Sequence, residues 1–307
     1  MDLYNLGPVT WWESQCFYHA LAHLGREGLI ICYPTTPYVC LGLHNDLEQE
    51  IDQDYCQQQR IPLMRRETGG GVVYLDHRQV FFQLVLNRDN PVLPWRRQRF
   101  YKRFLRPAVM VYRHLGLPAV INAADIAVGG RKCTGSAAGD IGPGVAFVGN
   151  LLLDFDFNTM CQVLKVPSEE FRSHLLQAMR GHMTTLSDWG RSRLSYAELA
   201  AALIDGFSEQ WGGFTPGSLD DELVDEAGRL YQQLTAEEWL GLAGARAKER
   251  RIKIAEGVFL VHQVLESGDE AAVLVKNGQK HQVRTYPHGY APCHGSMEHS
   301  RTVSGRK

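Results

Sequence analysis

The sequence predicts an α+β protein in two units, one over 1–215 and a smaller α/β one over 222–292. Three observations predict it. At 307 residues the chain exceeds a typical compact domain of about 150. Short apolar runs of strand length alternate with longer amphipathic patterns of helical period. Between 214 and 221 the composition turns to Gly, Pro, Ser and Asp, the makeup of a linker.

Each element has a local cause. Thr10 with Glu13 three residues on is a capping box, and it opens an amphipathic helix over 11–24 that Gly25 and Gly28 end. Runs at 29–33 and 38–41, separated by Pro34 and Pro37, read as two strands. A polar helix over 47–59 leads into 62–66, and 65–76 reads as two strand ends joined by three glycines. A strand over 80–86 follows. The helical pattern at 99–115 must kink or divide at Pro107. Runs at 120–128 and 131–137 flank Gly129-Gly130, a dipeptide suited to a primed hairpin turn. After a strand over 145–154 come helices over 157–164, 168–179 and 195–211, the last opened by the Ser195/Glu198 capping box. Beyond the linker, a helical part to 250, with Thr235 and Glu238 as a cap, precedes strands at 251–265 and 271–275. The polar residues from 293 to 307 read as a loose tail.

Composition excludes several classes. Thirty-two basic residues against 34 acidic ones leave no overall field for nucleic acid or an acidic membrane, so any basic patch is local. No apolar run approaches the roughly 20 residues of a bilayer span, and residues 1–10 lack a signal-peptide pattern, which points to the cytoplasm. The seven cysteines are scattered without a C-x-x-C pair and read as free, mostly buried thiols. There is no Walker A loop, no G-x-S-x-G elbow and no H-E-x-x-H. His19 and His23, four apart on the first helix, have metal-ligand spacing but no third ligand, and read as ordinary helix histidines. Cys293, His294 and His299 form a looser cluster of possible ligands in the tail.

Two constellations carry chemistry. In Arg65-Arg66-Glu67-Thr68-Gly69-Gly70-Gly71, residues without Cβ let backbone N–H groups approach a ligand, and Arg66 could pair with phosphate. A plain loop between strands accounts for the same glycines. In Gly129-Gly130-Arg131-Lys132-Cys133-Thr134-Gly135-Ser136-Ala137, small residues leave room beside a strand lysine. Its ammonium could reach a carboxylate and a phosphate oxygen together, the stabilisation needed when a carboxylate attacks the α-phosphate of ATP. An exposed lysine beside a hairpin is the alternative.

Together, in this order and separation, the two motifs resemble the lipoate-protein ligase family of the biotin/lipoate ligase superfamily. The match runs from Arg65 to Asp76, through Gly130-Arg131-Lys132 and Gly135-Ser136-Ala137, to Gly149-Asn150-Leu151-Leu152-Leu153-Asp154-Phe155-Asp156. Weaker similarity continues through Thr185-Leu186 and Glu238-Trp239. The resemblance implies a catalytic domain with a mixed β-sheet packed by helices, followed by an accessory domain that rearranges between half-reactions. It also implies a two-step reaction. Lipoate or octanoate and ATP with Mg2+ give the acyl adenylate; then a lysine of a lipoyl carrier protein takes the acyl group and AMP leaves. By the same resemblance Lys132 is the essential lysine and Arg66 holds phosphate. Gly69, Gly70, Gly71, Val72, Val73 and Tyr74 line the nucleotide and acyl site, and Asp125, Gly135, Ser136, Ala137 and Asn150 complete it.

Departures from the family pattern concern substrate choice more than adenylation. Ala124-Asp125-Ile126 stands where the family often has Asn-Asp-Ile, with Asn122 nearby to compensate. Val148-Gly149-Asn150 replaces a histidine-glycine-threonine, and Leu75 replaces a histidine after the aromatic. The rival readings are an octanoyltransferase of the same fold working through a cysteine thioester without ATP, a biotin ligase, and a non-catalytic carrier-binding relative. Cys133 is the tempting nucleophile. Neighbours in a strand point to opposite faces, however, so a ligand-facing Lys132 turns Cys133 away and leaves Cys161 and Cys16 as candidates.

Overall fold

The computed structural model describes residues 1–94 and 96–287. It opens on a strand that the patterning did not predict, β1 (Asp2–Val9), whose alternation is broken by a register shift between Asn5 and Gly7. In α1 (Glu13–His23), Thr10 and Glu13 exchange both bonds of the capping box. β2 (Gly28–Pro34) and β3 (Tyr38–Leu41) follow. The polar helix expected over 47–59 is two pieces, α2 (Leu47–Glu50) and α3 (Gln53–Gln58). Ile51 leaves helical geometry to bridge Leu164, and Asp46 and Asp52 each cap a fresh start.

β4 (Leu63–Arg65), β5 (Val73–Leu75) and β6 (Gln79–Asn87) lead to α4 (Arg97–Phe104) and α5 (Arg106–His114), which divide just before Pro107. The run expected over 120–128 is itself a hairpin, β7 (Ala119–Asn122) and β8 (Asp125–Val128), turned at Ala123 with φ +52°. Gly129 and Gly130, at φ +58° and +75°, then make the primed turn into β9 (Arg131–Thr134). β10 (Ser136–Ile141) and β11 (Gly144–Leu152) form the next hairpin, followed by α6 (Phe157–Val163), α7 (Glu169–His182) and α8 (Tyr196–Trp211). β12 (Thr215–Pro216) precedes α9 (Asp221–Thr235) and α10 (Glu237–Leu240). Thr235 does not cap α10. It ends α9, and its hydroxyl donates back to the Tyr231 carbonyl.

The central sheet is mixed, in the order β10-β11-β6-β2-β1-β12, with β1 parallel to β2 and β12 and the other pairs antiparallel. Period-2 alternation splits its strands between two cores. Leu29, Ile31, Phe82 and Leu84 face α5 and α8, whereas Ile30, Cys32, Phe81 and Val85 face α1 and α9. Leu223, Ala227, Leu230 and Leu234 of α9 are fully buried in that second cluster. Packing therefore joins α9, through residue 235, to the core on the α1 side of the central sheet, beyond the 215 expected as a boundary. The Gly/Pro/Ser/Asp stretch serves a strand-to-helix turn, ending on Asp220 as the cap of α9.

The last four strands form an antiparallel meander of β13 (Arg251–Ala255), β14 (Val258–Val264), β15 (Glu270–Lys276) and β16 (Gln279–Tyr286). The strand expected over 251–265 is a hairpin turned at Glu256-Gly257. Ile252, Ile254, Leu260 and Leu274 pack with Phe171, Leu175 and Met179 of α7. Two small sheets, β4-β3-β5 and β7-β8-β9, carry the two chemical motifs. Among the described residues no helix is long and apolar enough to cross a membrane. Cys293, His294, His299 and the rest of the tail lie outside the described residues.

Candidate active site

The glycine motif is the loop between β4 and β5, both paired to β3. Arg66, expected to hold phosphate, is buried and turned onto the backbone. Its Nε and Nη2 donate to the Gly69 carbonyl at 3.2 and 2.8 Å, Nη2 also donates to Gly71 at 2.9 Å, and Nη1 donates to Cys40 at 3.1 Å. The guanidinium thus shapes the loop from within, because inward-turned carbonyls need a donor there once they leave water. Arg65 is buried too, and its Nη1 donates to the carbonyls of Leu43 and Asn45.

Gly70 sits at φ +99°, and a Cβ there would lie 2.8 Å from Arg66 Nη2. Gly42, at the end of β3, meets the Gly70 carbonyl so closely that a Cβ would stand 2.1 Å from its oxygen. The loop also rests on β10. Gly69 N–H donates to the Ala138 carbonyl at 3.3 Å, and Thr68 packs over Gly139.

The histidine pair of α1 braces the same loop. His19 uses both ring nitrogens, Nδ1 on the Gln15 carbonyl at 2.8 Å and Nε2 accepting from Glu67 N–H at 3.1 Å, so it has no lone pair left for a metal. Burial pushes His19 down to about 4. His23 Nε2 lies 2.8 Å from Glu67 Oε2, and that carboxylate raises the imidazole while the histidines hold Glu67 below its ordinary value against the effect of burial.

Lys132 projects from β9 with its side chain only 19% exposed, its Nζ 3.0 Å from Asp125 Oδ1 on β8. The other Asp125 oxygen accepts from Glu256 N–H at 2.7 Å, at the β13–β14 turn. Backbone pairing fixes the strand, since Thr184 N–H donates to the Lys132 carbonyl at 2.7 Å. Cys133 lies on the opposite face, buried in the core, with its thiol pushed up to about 12 by burial.

Asn150 couples the two motifs. Its Oδ1 accepts from Gly135 N–H at 3.0 Å and its Nδ2 donates to Gln79 Oε1 at 2.7 Å; Gln79 Nε2 in turn donates to the Tyr74 carbonyl at 3.2 Å. A Cβ on Gly135 would come within 3.9 Å of Lys132 Nζ, and one on Gly70 within 3.8 Å of Ala137, so the small residues 135–137 border the ammonium at one end and the glycine bend at the other. Ser136 Oγ donates to the Ala124 carbonyl. Val72 packs with the α7 cluster, where Tyr74 is buried, and Val73 packs with the α1 cluster on the other face. Gly71 has open space around it. Asn122, offered as a compensating amide, is exposed and pairs in register with Asp125 at the end of the β7–β8 hairpin.

Sequence reasoning missed Gln79, Gly42 and Glu67. Each acts through a partner distant in sequence, and only the close spacing of His19 and His23 hinted at the brace.

The model of the lipoyl protein ligase A/B catalytic domain matches residues 12–208. A lipoate–protein ligase from Streptococcus pyogenes is 31% identical over 165 residues, covering 53% of this chain; the match spans only 47% of that relative's length. The octanoyltransferase LipM of Kyrpidia tusciae is 26% identical over 227 residues, 66% of this chain and 82% of its own. Among solved structures, a bipartite lipoate protein ligase described with its E2 lipoyl domain, from Thermoplasma acidophilum, superposes with a TM-score of 0.70 at 26% identity. It covers 80% of this chain and 98% of its own.

Proposed function

Because the chain belongs to the lipoyl protein ligase A/B catalytic-domain family, we propose that it is an ATP-dependent lipoate–protein ligase, acting on lipoate or octanoate. In the first half-reaction a carboxylate oxygen of the acid attacks the α-phosphorus of ATP, the acyl–phosphate bond forms and pyrophosphate leaves. In the second, the amine of a carrier lysine attacks the acyl carbon, loses a proton, and AMP departs.

The observation that carries this reading is Lys132, largely sheltered and anchored by Asp125, on a stretch whose Gly135 stands beside its Nζ and whose Ala137 stands beside Gly70. Adenylation gathers negative charge around phosphorus, and a fixed ammonium stabilises that charge without reorganising. Asp125 positions it and Asn150 keeps the lysine strand in register with the loop. Arg66 contributes by holding the loop's shape, which leaves the exposed side of Gly71 to the ligand. Mg2+ would arrive on the nucleotide, since such ions keep phosphate and water oxygens and take one or two carboxylates; Asp125 is the carboxylate beside the lysine. Among the described residues no group of three ligating side chains forms a cage. We assign the accessory role to the β13–β16 sheet, which reaches Asp125 through Glu256, and the cytoplasm as the compartment.

The cysteine-thioester alternative has relatives on its side, and the burial of the described cysteines favours the ligase reading over it. All six described thiols are buried, and burial raises the thiol pKa of each, Cys133 and Cys161 to about 12, which keeps them from the thiolate a nucleophile needs. The test is pyrophosphate release from purified protein with ATP and each acid, followed by the mass of a lipoyl domain incubated with the mixture. Acylation of that domain from an acylated donor protein without ATP would sink the ligase reading.

A further inference from the structure

Residues 96–106 place six cations, Arg96, Arg97, Arg99, Lys102, Arg103 and Arg106, in a stretch without one carboxylate, in a chain whose net charge is −2. Arg99, Lys102, Arg103 and Arg106 are exposed, and among the described residues none forms an ion pair; Arg103 lies over the Trp211 ring at 5.5 Å. Elsewhere Arg26, Arg78, Arg172, Arg229, Arg246 and Arg250 all have acidic partners. Cations without ion pairs are not what holds this part of the fold together; Glu209 is a carboxylate that shares a lining with Arg106.

This basic face borders an open groove of about 880 Å³ between α4–α5, the β7–β8 hairpin and the β13–β14 turn. Lys102, Arg106, Arg113 and Lys253 stand around it, while its apolar lining is mostly aliphatic with a single ring, Tyr101, and Val120 is 52% exposed. The one carboxylate in the lining, Glu256, is already paired with Lys253 at 2.6 Å. The groove abuts the Lys132–Asp125 pair through residues next to it. Ala124 lines it beside Asp125, and Glu256 N–H holds the same carboxylate that anchors Lys132.

We propose that this groove docks the acyl-accepting carrier domain, through a face that is acidic around an apolar contact, so that the acceptor lysine is delivered past Asp125 to the adenylate. The assignment rests on the carrier-modifying reading above. Cations spread over several elements around a mostly aliphatic floor match a protein face with a polar rim and an apolar centre. A single-stranded nucleic acid would call instead for a row of stacking rings along the floor.

The experiment is direct binding of an unmodified lipoyl domain, read by fluorescence anisotropy, to the full chain, to the double variant Lys102→Glu/Arg106→Glu, and to Val120→Asp on the exposed floor. Carrier-free pyrophosphate release with ATP and acid is measured alongside. Dissociation constants should rise roughly tenfold or more in each variant, and the wild-type value should weaken steeply with salt while the double variant's does not. Carrier-free pyrophosphate release should stay at the wild-type level, which also shows that the variants are folded. An unchanged dissociation constant overturns the proposal. So does a parallel loss of carrier-free turnover, which would mark a small-anion site, or binding of a short oligonucleotide that the reversals abolish while carrier binding persists. Charge-dependent carrier binding without any ATP-dependent turnover would sink the ligase reading and leave the groove standing.

Discussion

Lys132 Nζ and Asp125 Oδ1 lie 3.0 Å apart across the β8–β9 pair, and the second oxygen of the same carboxylate is held by Glu256 N–H of the C-terminal sheet. One aspartate therefore holds the ammonium and ties it to the C-terminal sheet. Lys132→Ala should abolish acid-dependent pyrophosphate release while the circular dichroism stays native, with the melting temperature lowered by a few degrees because the buried Asp125 carboxylate loses its partner. Asp125→Asn keeps the shape and the hydrogen bond to Glu256 but removes the charge. Its turnover should fall about 10²-fold, the scale for misdirecting one electrostatic stabiliser. Turnover equal to wild type in either variant would make the pair structural.

Substitution in the glycine bend should separate binding from folding. Gly70→Ala forces a side chain into φ +99° and within 2.8 Å of Arg66 Nη2, at a cost of about 1–3 kcal/mol. The strain is confined to the loop, so the KM for acid or ATP should rise far more than the melting temperature falls. Gly42→Ala acts on the same point from outside, where a Cβ would press on the Gly70 carbonyl oxygen, and the two defects should not add. Additive losses would mean that the two glycines do not act on one loop geometry.

Element existence was largely legible in the sequence, because capping boxes, Pro107 and Gly129-Gly130 act within a few residues of themselves. β16 was not, since seven of its eight residues are exposed and carry no apolar rhythm. β1 was lost to its bulge. The site was legible as a set of positions and less so as a set of roles. Alternation put Lys132 and Cys133 on opposite faces, and they lie there. Arg66 reads from sequence as a phosphate ligand because a guanidinium beside glycines suits anions. Its actual acceptors, the carbonyls of Cys40, Gly69 and Gly71, come together only after β3, β4 and β5 pair. His19 and His23 showed metal spacing for the same reason, their shared partner Glu67 being remote in sequence.

The brace of Glu67 predicts a pH optimum for loop order. His19 is depressed from 6.5 to about 4, so between those values the unfolded or opened chain binds a proton that the native site refuses, and stability falls as pH drops through that window. His23 is raised above 6.5 by Glu67, so its contribution is complete below 6.5 and is lost as pH rises through the elevated value. Glu67, lowered from 4.5, keeps its side of the pair until pH falls through its own depressed value. Protection of the loop amides in hydrogen exchange should therefore peak near neutrality, around the ordinary histidine value. His23→Gln should flatten the alkaline limb and leave the acid limb in place. A symmetric loss of both limbs would show that His23 alone controls the loop.

Cys133 offers the sharpest separation of the ligase reading from the thioester one. Its Sγ donates to the Ile126 carbonyl at 3.4 Å inside the core, and its burial keeps the thiol protonated well above neutral pH. A thiol in that setting neither reaches an acyl group nor supplies a thiolate. Cys133→Ala removes a buried sulfur and one weak hydrogen bond, a destabilisation of about 1 kcal/mol that would lower the melting temperature by a few degrees. ATP-dependent carrier acylation should continue at close to the wild-type rate below that temperature. In the wild-type protein, alkylation by iodoacetamide at neutral pH should spare Cys133 until the fold is opened with denaturant. Loss of acyl transfer in Cys133→Ala with the fold intact, or a trapped acyl thioester at that position in intact-protein mass spectrometry, would transfer the chemistry from the ammonium of Lys132 to its neighbour on the other face of the strand.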